Sequence, residues 1–79
     1  KVVLTISPYY MIMPDDLFKP LEKLALIYDI NMYNHTDDMR LIRSGSFFKD
    51  ETHLNDKGAR LYSLIVAREI SELLLNESH

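Results

Sequence analysis

The chain has 79 residues, 47% of them hydrophobic and 27% charged, the balance of a globular chain and too apolar for a disordered one. A net charge of −3 argues against a binder of phosphate backbones, and no apolar run approaches a membrane span or a signal-peptide pattern. The absence of Cys excludes a disulfide framework, a thiolate metal site, a Cys nucleophile and CxxC redox chemistry, while leaving the compartment undetermined.

The first element is residues 1–6, KVVLTI, a continuous apolar run rich in β-branched residues. Such a run suits a strand covered on both faces, as in a parallel sheet. Ser7-Pro8 ends it, because Pro8 has no N–H for a ladder and holds Ser7 extended. Tyr9, Tyr10, Met11 and Met13 follow at the carboxyl end of that strand, the edge where open α/β sheets gather their sites. They can line an acyl pocket or pack under the neighbouring helix, and the core role is the preferred reading.

A helix comes next, started by Asp15 and Asp16, with Pro20 tolerable in its first turn. Leu17, Leu21, Leu24 and Tyr28 recur at helical spacing beside Ala25, and form its expected inward face. Residues 30–33 read as a second short strand, and strand–helix–strand order pairs strands in parallel. Asp38 to Arg43 can make one helical turn, broken at Ser44-Gly45-Ser46. The final helix is N-capped by Asn55 and runs from Asp56 to about Asn76. Its expected inward face is Ala59, Tyr62, Ile65, Val66, Ile70, Leu73 and Leu74. Gly58 lowers helix propensity in the first turn, so close packing is its expected purpose.

This inventory is β-α-β-α. Two parallel strands cannot cover their own edges or bury an apolar run on both faces. Because the first residue is Lys1 rather than Met, the native amino terminus is expected elsewhere. Residues 1–79 therefore read as the carboxyl-terminal part of one doubly wound α/β domain, the remainder coming from other residues.

The chemistry concentrates in residues 47–63, FFKDETHLNDKGARLYS, around Asp50-Glu51-Thr52-His53. A carboxylate can fix one ring nitrogen of a His and stabilise its imidazolium, leaving the other nitrogen to take a proton from a hydroxyl. With seven Asp and three His in 79 residues, chance alone yields a D-x-x-H about a quarter of the time, so the context has to carry the signal. Phe47-Phe48 precedes the Asp, Leu54-Asn55 follows the His, and Gly58-Ala59 opens an amphipathic helix.

That block resembles the carboxyl-terminal block of the SGNH (GDSL-type) hydrolases, aromatic-x-D-x-x-H-L-N-x-x-G-A before the last helix. The specific part is residues 48–59. The resemblance implies a flavodoxin-like α/β/α sandwich and hydrolysis or transfer of an acyl ester by a Ser-His-Asp triad without a cofactor. It implies His53 as general base and acid and Asp50 as the orienting carboxylate. The substrates would be O-acyl esters of lipids, carbohydrates or small alcohols. The family's Ser block and its oxyanion-hole Gly and Asn blocks are not in this chain, so the resemblance implies half an active site, inactive alone.

Among the local serines, Ser7, Ser44 and Ser46 lack a G-x-S-x-G elbow, and none is the expected nucleophile. Glu51 reads as solvated, and Arg40 and Arg43 as solvated charges. His35 with Asp37 and Asp38 gives H-x-D-D, which can hold a divalent metal but reads first as a turn. His79 reads as a disordered terminus. Two competing functions stay open. One is a non-catalytic module docking through the Ala59 to Leu74 face, with Asp50 and His53 only capping the helix. The other is a divalent-metal hydrolase fragment using His35, Asp37, Asp50 and His53.

Overall fold

The computed structural model describes residues 2–11, 14, 16–43 and 45–77. The readings placed on Lys1, Met13, Asp15, Ser44 and His79 lie outside the described residues. The elements in order are β1 (Val3–Ile6), α1 (Lys19–Ile27), β2 (Asn31–Asn34), α2 (Met39–Ile42), a 3-10 turn (Gly45–Phe47) and α3 (Asp56–Glu77). β1 and β2 pair in parallel, with Val3 opposite Asn31 and Ile6 opposite Asn34. The expected β-α-β-α order is present as a small α/β fold, its second strand one residue later than residues 30–33. Parallel pairing of consecutive strands obliges the chain to cross back over the sheet, and α1 is that crossover.

Each face of the strand pair carries a helix. The Thr5 hydroxyl bonds the Tyr62 hydroxyl, so α3 lies on the face of Thr5 and its partner Tyr33. Met32 and Asn34 border a hollow with Ala25 and Leu26, so α1 lies on the opposite face. β2 continues into His35, whose N–H reaches the Ile6 carbonyl at 3.0 Å. His35 is only 6% exposed. Its Nδ1 is 2.9 Å from Asp38 Oδ2 and its Nε2 is 2.8 Å from Glu69 Oε1, tying β2, α2 and α3 together.

Local sequence explains the helix ends. Pro20 sits in the first turn of α1, where its missing N–H has no bond to lose. At the other end Asp29 adopts φ 54°, the left-handed region. There Ile30 N–H bonds the Ala25 carbonyl at 2.8 Å and Asp29 N–H bonds the Leu26 carbonyl at 3.3 Å, a Schellman closure. Asp38 caps α2 by accepting from the Arg40 N–H at 3.1 Å.

The core is small: Ala25, Leu41 and Ile65, with Pro8 and His35. Two expected inward faces are corrected by this arrangement. In α1 only Ala25 is buried, whereas Leu17, Leu21, Leu24 and Tyr28 are 38–70% exposed. The α1 crossover rests its small residue on a two-strand sheet too narrow to reach its leucines. In α3 Ile65 is buried and Tyr62, Val66 and Leu73 are half-buried, but Ala59, Ile70 and Leu74 face solvent for the same reason. Tyr10 and Met11, expected in the core, are 45% and 47% exposed.

Candidate active site

Residues 47–58 fold into a closed turn leading into α3. Phe48 and Leu54 form an antiparallel bridge, and Lys49 N–H bonds the His53 carbonyl at 2.8 Å. Asn55 N–H bonds the Phe47 carbonyl at 2.9 Å, while its side-chain nitrogen donates to the Ser46 carbonyl at 2.8 Å. Asn55 Oδ1 accepts from the Gly58 N–H at 2.9 Å, which is the expected N-cap. Gly58 is buried, and a Cβ there would overlap the Phe47 carbonyl oxygen and sit 3.0 Å from Leu54 Cδ2. Close packing is thus the reason for glycine in this first turn. The turn is also anchored to the loop after β1, because Tyr10 N–H donates to the Glu51 carbonyl at 2.8 Å. The Tyr10 and Phe48 rings stack beside it, 5.2 Å apart. The Asp50–His53 turn therefore sits at the carboxyl edge of the sheet, where ligands of open α/β sheets bind.

Within the turn Asp50 and His53 meet. His53 Nδ1 lies 2.9 Å from Asp50 Oδ1 and 3.1 Å from Oδ2. The same Oδ1 accepts from the backbone N–H of Thr52 and of His53, both at 2.9 Å. The Thr52 hydroxyl donates to it at 3.2 Å and is 3.0 Å from His53 Nδ1. These donors hold the Asp50 carboxyl down at about 2, the backbone N–H of Thr52 first and the His53 side chain second. An ionised Asp50 orients the ring and makes Nδ1 the hydrogen-bearing nitrogen. His53 is 70% exposed at its side chain, and among the described residues its Nε2 has no partner. That nitrogen is available to a hydroxyl brought to it.

The other histidine is arranged differently. His35 is enclosed and both its nitrogens are engaged, so it serves the fold and cannot reach a substrate. Arg40, read from sequence as solvated, grips Asp38 with two bonds of 2.9 Å and 2.7 Å. Chiefly for that reason the Asp38 carboxyl is lowered to about 2. Among the described residues no group of three or more His, Cys, Asp or Glu is arranged to hold a metal ion. The metal set of His35, Asp37, Asp50 and His53 is not assembled: His35 is committed to Asp38 and Glu69, and Asp50 and His53 to each other.

Thr52 is the site residue that sequence reasoning passed over. Its signal was available, since a Thr two residues after an Asp is placed to complete an Asx-type turn. The Ser46 carbonyl accepts from the Asn55 side-chain amide. Comparison of the chain with protein-family models, with curated proteins and with solved structures finds no match.

Proposed function

We propose that the chain is the carboxyl-terminal part of an ester hydrolase or acyltransferase of the SGNH type, supplying Asp50 and His53 to a Ser-His-Asp triad. The observation that carries this reading is the His53 ring, pinned at Nδ1 by an ionised Asp50 and open at Nε2. Nε2 takes the proton of a serine hydroxyl while the serine oxygen attacks the ester carbonyl. The tetrahedral intermediate collapses to an acyl-enzyme, and Nε2–H returns the proton to the leaving alcohol oxygen. Water, or an acceptor alcohol, then repeats the sequence in reverse. No cofactor takes part. The serine and the oxyanion donors come from outside these residues, and the chain alone is inactive.

The strands support a larger, flavodoxin-like sheet. β1 reads VLTI and β2 reads NMYN. Apolar runs belong to central parallel strands and polar ends to edge strands. Ile6 turns its carbonyl to His35 of the β2 side, so backbone alternation turns Val3 and Thr5 outward. Further strands of the domain would add along that side of β1. One observation favours the competing docking-module reading: Ile70 and Leu74 on α3 are 39% and 56% exposed.

Fluorophosphonate labelling with intact mass decides between them. A longer polypeptide containing these residues should take one label, the 9.3 kDa chain none, and His53→Ala should abolish labelling. An unlabelled long form returns the module reading. A stoichiometric label on the 9.3 kDa chain itself would make a local serine the nucleophile and overturn the shared site.

A further inference from the structure

The side chains of Asp50 and His53 are 55% and 70% exposed, so hydrogen bonds rather than packing must hold the ring. Among the described residues one side chain besides Asp50 reaches that ring. It is Thr52, whose hydroxyl oxygen lies 3.0 Å from His53 Nδ1 and 3.2 Å from Asp50 Oδ1. A hydroxyl has a single hydrogen to give, so Thr52 donates to only one of these neighbours. Given to Nδ1, the hydrogen requires a bare nitrogen whose lone pair faces carboxylate oxygens at 2.9 Å and 3.1 Å. Given to Oδ1, it joins the backbone N–H groups of Thr52 and His53 on that oxygen. The hydroxyl oxygen is then left as a second acceptor for Nδ1–H. An ionised Asp50 selects this second arrangement, because a charged acceptor makes the bond roughly twice as strong as a neutral one.

We infer that Thr52 is a positioning residue: its hydroxyl, aimed by Asp50, holds the exposed His53 ring with its hydrogen on Nδ1 and its lone pair on Nε2. The ester-hydrolase reading enters only in what that lone pair then does, which is to take a serine proton. Thr52 touches no reacting atom and acts through His53. Its β-branching suits the task, since a restricted χ1 keeps the hydroxyl between its two neighbours. The turn itself does not depend on this hydroxyl. Without it, Asp50 Oδ1 keeps both backbone N–H groups, and the Lys49 N–H keeps the His53 carbonyl. Removing the hydroxyl therefore tests the ring and not the fold.

NMR of the imidazole nitrogens at about pH 9, above the range in which histidine titrates, reads the ratio of the two neutral forms of His53. Thr52→Val keeps the side-chain shape and removes the hydroxyl. It should lower the ratio of Nδ1–H to Nε2–H about threefold, the effect of losing one exposed hydrogen bond. Thr52→Ser should restore the ratio to within about twofold. In the Asp50→Asn background the charge that aims the hydroxyl is gone, and Thr52→Val should no longer lower the ratio. The Lys49 amide shift reports whether the turn is intact, and if Val displaces it, Thr52→Ala carries the same comparison. An unchanged ratio without the hydroxyl, no recovery with Ser, or an equal loss in the Asp50→Asn background would overturn the assignment. In the longer polypeptide Thr52→Val should lower kcat about threefold at unchanged KM, following the ring. The expected ratios combined with failed fluorophosphonate labelling would uphold Thr52 as the residue that sets the ring and remove only the ester chemistry.

Discussion

Four donors converge on one oxygen of Asp50: the N–H groups of Thr52 and His53, the Thr52 hydroxyl and His53 Nδ1. Each favours the ionised form, so the carboxyl is lowered from 3.8 to about 2 although it is open to water. The folded value lies below the unfolded one. The stabilisation is therefore complete above about 4 and is lost as the pH falls toward 2. A titration of the Asp50 carboxyl carbon by NMR should show a midpoint near 2. His53→Ala should raise it toward 3.8, and Thr52→Val should raise it less, since the backbone N–H of residue 52 survives that change. A midpoint at 3.8 in the unsubstituted chain would mean that the turn does not hold this geometry in solution. Asp38 has the same sign for another cause, the Arg40 guanidinium, so acid loosens the α2 cap in the same range. If the proposed triad is correct, Asp50→Asn in the longer polypeptide should lower kcat by about 10⁴, through loss of the orienting charge and the tautomer it selects, while substrate binding changes little.

Among the elements, the entry to α3 shows most directly how residue choice sets geometry. Gly58 lets the Phe47 carbonyl come against the first turn of α3, and that carbonyl in turn accepts from Asn55. Gly58→Ala pits a Cβ against backbone, which cannot rotate away. The expected loss is about 2–3 kcal/mol, read as a lower urea midpoint, despite the better helix propensity of Ala. Stability gained instead would show that the Phe47 carbonyl moves freely. The end of α1 offers the opposite case. Asp29 holds φ 54° inside a Schellman closure, a conformation that glycine adopts without strain. Asp29→Gly should stabilise the chain by about 0.5–1 kcal/mol, and a lower urea midpoint would assign Asp29 a contact that outweighs its backbone strain. The α3 entry was legible in sequence, because Asn55 and Gly58 act within a few residues of their own position. The faces of α1 and α3 were not. Periodicity marks an apolar stripe but not whether the sheet beneath is broad enough to meet it.

At the scale of the whole molecule, the same distinction separates the two histidines. D-x-x-H placed Asp50 and His53 together because a single turn joins them. Nothing local announced that His35 would be closed by Glu69, 34 positions later, since that contact exists only once α3 crosses the sheet. The narrow sheet also leaves Leu21 and Leu24 at 38% and 50% exposure, in line with Leu17 and Tyr28. Contiguous exposed leucines are hidden from water by association when nothing else covers them. In sedimentation the 9.3 kDa chain should therefore run as more than one copy, increasingly so with concentration. Leu21→Lys with Leu24→Lys should run as a single chain. Its unfolding free energy, read from a urea titration, should change by no more than about 0.5 kcal/mol, since both side chains already stand in solvent. A single-chain species without the substitutions, together with unfolding of the double variant, would reverse the argument. The leucine row would then be packed against the chain's own fold, and the inward face expected from the periodicity of α1 would be the correct one.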